Sequence, residues 1–149
     1  MRITLSVNGR FHTFDVAHEL EERGDLRALI TAYPYLMARR WGISRRRTRA
    51  LPIFELAKRA ALRLNLESDR ISPAYDFVAS RLVPSDSEVV ETWSGSSLYT
   101  IRRARRIGAV SVLKRSSAHI VTQNELLLDE YARWGSSIEP IPGFVIERE

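Results

Sequence analysis

Residues 3 to 31, ITLSVNGRFHTFDVAHELEERGDLRALIT, decide the fold. Ile3-Thr4-Leu5-Ser6-Val7 alternates apolar and polar residues, the two-residue period of a strand. Asn8-Gly9-Arg10 interrupts it. From His12 the period lengthens: Phe14, Ala17 and Leu20 recur at every third residue, as on the inner face of a helix, and Gly24 supplies a stop signal. Leu26 to Thr31 reads as a second, buried strand, closed by Tyr33-Pro34. Strand, glycine-containing turn, helix and strand within about 30 residues make a βαβ unit.

The rest of the chain repeats the alternation. The Arg-rich stretch around Trp41-Gly42 has no clear period. Pro52 suits the first turn of a helix, and Ile53, Leu56, Ala57, Ala60, Ala61 and Leu64 follow at helical spacing. Pro73 is expected to open another helix through SPAYDFVASRLV, which Pro84 closes. Glu88 to Trp93 is a third strand, Ser94-Gly95-Ser96-Ser97 a turn, and Leu98 to Ile107 a helix stopped by Gly108. Ala109 to Leu113 is a fourth strand, and Ile120 to Trp134 a final patterned helix. Pro140 to Glu149 reads as loop. The expected class is α/β: a Rossmann-like parallel sheet with helices on both faces.

Composition removes several chemistries. The 149 residues match one domain, 1–149, with 44% hydrophobic and 28% charged residues, ordinary globular usage. With no cysteine, a disulfide scaffold, a thiolate metal site and a Cys nucleophile are excluded. His12, Asp15 and His18 lack the i, i+4 His pair of a helical zinc site, so no metal is expected. Gly9 stands alone, without the further glycines of a dinucleotide fingerprint, and no P-loop occurs. No stretch approaches the roughly 20 apolar residues of a membrane span. MRITLSVNGR lacks a signal peptide's apolar run, so a cytoplasmic location is expected.

Lys and Arg number 23 against 18 Asp and Glu, a net charge of +5. Arg39, Arg40, Arg45, Arg46, Arg47 and Arg49 crowd one stretch; Arg102, Arg103, Arg105 and Arg106 form a second group on a predicted helix, where a solvated face accounts for them. The first group has Trp41 within it and an amphipathic segment after it. That pattern suits an anionic membrane surface or RNA phosphates; a solvated loop explains it as simply.

Ligands of open parallel sheets bind beyond the carboxyl ends of the strands. Three turns occupy such ends: Gly9-Arg10 after the first strand, Ser94-Gly95-Ser96 after the third, and Ser116-Ser117 with His119 after the fourth. Each precedes a helix, whose free N–H groups suit anions. Gly and Ser also serve tight turns and N-caps with no ligand at all. His119 stands at a helix start, where its imidazole either projects over the crevice or caps locally.

The run ETWSGSSLYTIRRARRIGAVSVLKRSSAHIVTQNELLLDEYARWG resembles the N-terminal half of family 4 glycosyltransferases, whose fold is the two-Rossmann-domain GT-B type. The resembling motifs are the W-S-G-x-S turn, the strand leading to an R-G-S-x-H turn (here Arg115 to His119, with Ser116 where Gly is commoner) and the E-x-x-L helix. The opening NGRFHTFDVAHELEERGDLRALIT fits as well. The resemblance implies a hexosyltransferase that moves a sugar from a nucleotide-sugar donor to an acceptor with retention, without an essential metal or tightly bound cofactor. By analogy Gly9 would approach the donor diphosphate, with Arg10 beside it as a further substrate-binding residue, His119 would face the transferred sugar as the catalytic-site residue, and Ser94, Gly95 and Ser96 would line the acceptor side. Ser116 and Ser117 belong to the same turn as His119. The family's donor-binding residues lie in a C-terminal domain that these residues do not include, so the chain is expected to be one half of the enzyme, inactive alone. Its expected partners are that domain, the nucleotide-sugar and an acceptor, lipid-linked if the Arg39–Arg49 patch makes it peripheral to the inner face of the membrane. The alternative is a non-enzymatic Rossmann-like module using the patch on anionic lipid or RNA; nucleic acid is the less expected partner.

Overall fold

The computed structural model describes residues 1–66, 70–141 and 143–146. The chain divides into two compact units, Met1–Lys114 and Arg115–Glu149. The first unit contains β1 (Ile3–Val7), α1 (Thr13–Glu22), β2 (Leu26–Thr31), α2 (Tyr35–Arg40), β3 (Thr48–Ala50), α3 (Pro52–Arg63), α4 (Ile71–Leu82), β4 (Val89–Trp93), α5 (Leu98–Arg106) and β5 (Val110–Lys114). The strands form one sheet in the order β3-β2-β1-β4-β5, and every pairing is parallel. This is the expected Rossmann-like α/β arrangement.

Helices cover both faces, and the strand period dictates how. Leu29 and Ile30 are adjacent in β2, so their side chains point to opposite faces. Leu29 packs with Leu5, Val7, Phe14, Ala17 and Ala38 under α1 and α2. Ile30 packs with Tyr75, Ala79, Val90 and Ala104 under α4 and α5. A strand buried on both sides reads as the nearly continuous apolar run seen in LRALIT. Each fully buried leucine there contributes about 1.5–3 kcal/mol relative to exposure.

Three features differ from the expectation. The Arg-rich stretch is ordered rather than a loop: it supplies α2 and the edge strand β3. β3 has only three residues and is held by backbone pairing of Leu29 to Thr48, Ile30 to Arg49 and Thr31 to Ala50, which needs no apolar period. Helix α4 starts at Ile71, so Pro73 sits at its third position, where the missing N–H had no intrahelical acceptor. In α3 the apolar residues do not share one inward face. Ala61 is buried and Phe54 packs edge-on against Tyr75, with ring centroids 5.7 Å apart. Ile53, Leu56 and Leu64 remain 64%, 62% and 67% exposed.

The second unit holds α6 (Ile120–Arg133) and α7 (Gly143–Ile146), a single turn within the stretch expected as loop. Local polar contacts support α6. Arg133 pairs with Asp129 at 2.7 Å, Trp134 Nε1 donates to Glu130 at 2.7 Å, and Ile141 N–H donates to Asn124 Oδ1 at 3.1 Å.

Candidate functional site

The strand order reverses at β1. The chain runs outward through β2 and β3, then returns to place β4 on the other side of β1. In open parallel sheets such a switch point, beyond the carboxyl ends of the strands, is where ligands bind. Two of the sequence-predicted turns, Asn8 to His12 and Ser94 to Ser97, leave these neighbouring strands.

The first turn is built around an aromatic contact. The Phe11 ring lies on the Trp93 ring with centroids 4.2 Å apart and planes 5° apart. Gly9 permits this. A Cβ there would come within 2.5 Å of Phe11 Cε2, so the ring occupies the space above the glycine. Phe11 pays for the arrangement with φ of +34°, a left-handed backbone rare for bulky side chains. Arg10 is exposed, its guanidinium 4.6 Å over the Trp41 ring. Trp41 donates from Nε1 to Asp15 at 3.0 Å and packs on Phe14, so it belongs to the core beneath α1.

Asn8, at the root of this turn, is only 7% exposed. Its Nδ2 donates to Ser72 Oγ at 3.0 Å, whereas its Oδ1 is buried with no hydrogen-bond partner among the described residues. An unpaired buried carbonyl oxygen is costly. Sequence reasoning passed over Asn8, Phe11 and Trp93 as site residues. The available signal was an Asn directly after a buried strand.

The second turn is tighter. Gly95 has φ of +81° and open space where a Cβ would stand, so the turn conformation demands glycine and the surface above it is accessible. Ser94 extends the sheet, its N–H donating to Lys114 O at 2.9 Å. Ser96 is buried; its carbonyl accepts from Thr92 Oγ1 at 3.3 Å. The helix that follows is not open to an anion in the manner expected. Asp76, reaching across from α4, accepts from the Tyr99 N–H at 2.7 Å and from the Thr100 N–H and Oγ1 at 3.1 and 2.6 Å. Those first-turn amides of α5 are thus neutralised by the protein's own carboxylate. Burial holds the Asp76 carboxyl above its ordinary pKa, against the opposing pull of the Thr100 and Tyr99 hydrogen bonds.

The remaining predicted residues lie in the second unit or along the Arg-rich segment. His119 is the N-cap of α6, exposed, its Nδ1 accepting from Val121 N–H at a long 3.4 Å. That is local capping. Ser116 and Ser117 precede it and are exposed. Arg39 and Arg40 end α2, with Arg45 over the Tyr35 ring at 4.9 Å. Arg46 and Arg49 are exposed and Arg47 half-buried, and none of the six is ion-paired with a described carboxylate. Among the described residues no cluster of His, Asp and Glu could hold a metal ion, and no helix is long and apolar enough to cross a membrane.

The chain was compared with protein-family models, with curated proteins and with solved structures, and none of them matches it.

Proposed function

We propose that this chain is the acceptor-side domain of a retaining glycosyltransferase, one half of a GT-B fold, which works with a second domain that binds the nucleotide-sugar. The observation that supports this reading is the convergence of two turns, Asn8 to His12 and Ser94 to Ser97, at the switch point between β1 and β4. The second of these turns carries part of the sequence resemblance. A saccharide acceptor suits the surroundings. Phe11, 51% exposed and backed by Trp93, offers an apolar platform to a sugar ring. The Ser94 hydroxyl would bond to one of its hydroxyl groups, while Gly95 lets the ligand approach the backbone. A few polar groups set in an apolar wall is the usual make-up of a small-molecule site.

The test is an amide NMR titration of the chain with UDP-glucose, GDP-mannose and a set of free disaccharides. Millimolar binding, about −4 kcal/mol, with shift changes gathered at residues 8–12 and 94–97, is expected for at least one saccharide. No response at those residues to any of them would overturn the reading.

A second reading has its own observation. Ile53 and Leu56 on α3 and Leu64 at its C-cap are exposed, and exposed Arg39, Arg40, Arg45, Arg46 and Arg49, without ion pairs among the described residues, precede them in the chain. An apolar helical stripe accompanied by arginines fits peripheral contact with an anionic lipid surface. Sedimentation with phosphatidylglycerol vesicles, against phosphatidylcholine alone and at raised salt, tests it; indifference to lipid charge would exclude it. The two readings are compatible, because a glycosyl acceptor can itself be a lipid.

A further inference from the structure

Helices α4 and α5 pack side by side, and their outer surfaces bound a groove of about 440 Å³. Phe77, Arg81, Tyr99, Arg102, Arg103 and Arg106 line it, and no carboxylate among the described residues does. Among the described residues several arginines elsewhere are matched, Arg23 with Glu19, Arg27 with Asp86, Arg59 with Glu55 and Arg133 with Asp129, whereas those of the Arg39 to Arg49 segment are not. The guanidinium groups of Arg102, Arg103 and Arg106 have no hydrogen bond or ion pair with any described residue, although Arg103 is half-buried. The nearest acidic side chain on α4, Asp76, is spent on the α5 amides.

The groove is also held in shape. Arg81 donates from Nη1 to Phe77 O at 2.9 Å, and its guanidinium sits 3.5 Å from the centre of the Phe77 ring. Phe77 in turn meets Tyr99 edge to face at 5.3 Å. One of the five N–H donors of Arg81 is therefore used, and a fixed fork remains available. Like charges at Arg102 and Arg106 (i, i+4) and at Arg103 and Arg106 (i, i+3) oppose each other along α5. A bound polyanion would relieve that opposition.

We infer that this groove binds a small ligand carrying two or more phosphate groups. Planar guanidinium forks match phosphate oxygens in pairs. The volume falls within the range of about 300–1,000 Å³ typical of small-molecule sites. Four guanidinium charges call for a multiply charged partner, not a single carboxylate. The inference is independent of the glycosyltransferase reading, since its residues lie on the α4 and α5 surfaces and not in the turns at 8–12 and 94–97.

The test is isothermal titration of the chain with sodium tripolyphosphate, with sodium sulfate as the comparison at matched ionic strength. Tripolyphosphate should bind well above sulfate. The double variant Arg102→Ala/Arg106→Ala should weaken it about tenfold or more, a loss of at least 1.4 kcal/mol. The lysine pair Arg102→Lys/Arg106→Lys should recover only part of the affinity. Arg23→Ala/Arg133→Ala, which removes the same number of charges elsewhere, should leave binding unchanged. Equal binding of sulfate, or equal loss in the control pair, would overturn the inference. So would binding of a single-stranded oligothymidylate or of phosphatidylglycerol vesicles through these arginines without measurable tripolyphosphate binding.

Discussion

The Phe11 ring lies flat on Trp93, with a centroid separation of 4.2 Å, and so ties the turn after β1 to the last residue of β4. The contact exists because Gly9 has no Cβ to push the ring away. Gly9→Ala should evict the ring, lose a stack worth about 0.5–1.5 kcal/mol and alter the fluorescence of Trp93. In a Phe11→Ala background the same change should cost much less, because nothing remains to be displaced. Urea denaturation of the two single variants and the double variant measures the coupling. Strictly additive losses would show that Gly9 serves the backbone alone.

Tyr75 makes a second cross-link at the same sheet edge. Its fully buried hydroxyl lies 2.9 Å from each of the carbonyl oxygens of Val7 and Ile30 and 3.5 Å from Ser6 Oγ. Burial pushes the phenol above its ordinary pKa, so it remains a donor at any working pH. Tyr75→Phe keeps the edge contact with Phe54 and removes only the donor. The two carbonyls then lose their shared proton, and stability should fall by about 1–3 kcal/mol. A Tm within error of the parent would mean that water replaces the hydroxyl there.

These two cross-links also show how far the sequence could be read. β1 and β2 stand at the residues that their apolar patterns predicted, because both strands bury one or both faces and the period records it. β3 escaped notice. An edge strand of Thr48, Arg49 and Ala50 is held by β2's backbone, and its side chains carry no period. The turns at Gly9 and at Ser94 to Ser97 were recognisable from glycine and serine after buried strands. Their companions were not. Phe11 reads only as part of the turn before the first helix, and its role depends on a positive φ and on Trp93, 82 positions later in the chain. Nothing in SPAYDFVASRLV singles out Asp76, and only the packing of α4 on α5 turns it into the cap of another helix. Pairings between distant residues leave no mark on local pattern.

Asp76 sets a pH dependence whose sign follows from its environment. Burial raises its folded-state pKa above 3.8, the value taken for the unfolded chain. Between these two values the folded protein holds a proton that the unfolded chain has released. Its stabilising contribution is complete below the unfolded pKa and declines as pH rises through the folded one. Asp76→Asn cannot titrate, and it turns an amide NH₂ toward one of the N–H groups of α5. It should be less stable than the parent throughout, by about 1–3 kcal/mol near neutrality. The parent's advantage should be largest in acid and narrow as pH rises. Urea midpoints of both proteins from about pH 3 to pH 7 measure the difference. Carboxylates such as Asp86, paired with Arg27, titrate alike in both and cancel. A gap that widens with rising pH would contradict this account.

Ile53 and Leu56 separate folding from surface contact. Both are more than 60% exposed on α3, and the helix is anchored instead through Ala61 and Phe54. Replacing exposed side chains away from the core usually changes stability by no more than about 0.5 kcal/mol. Ile53→Ser/Leu56→Ser should therefore unfold at nearly the parent's urea midpoint. If α3 meets an anionic lipid surface, the same variant should lose most of its binding to phosphatidylglycerol vesicles, because the apolar insertion disappears while the arginines remain. Arg39→Ala/Arg40→Ala should lose binding in a different way. It should retain the apolar contribution and show a shallower dependence on salt. Vesicle sedimentation at two ionic strengths distinguishes the two kinds of loss. Undiminished vesicle binding by the serine variant would remove α3 from the lipid contact and leave the arginines as a charge-only patch.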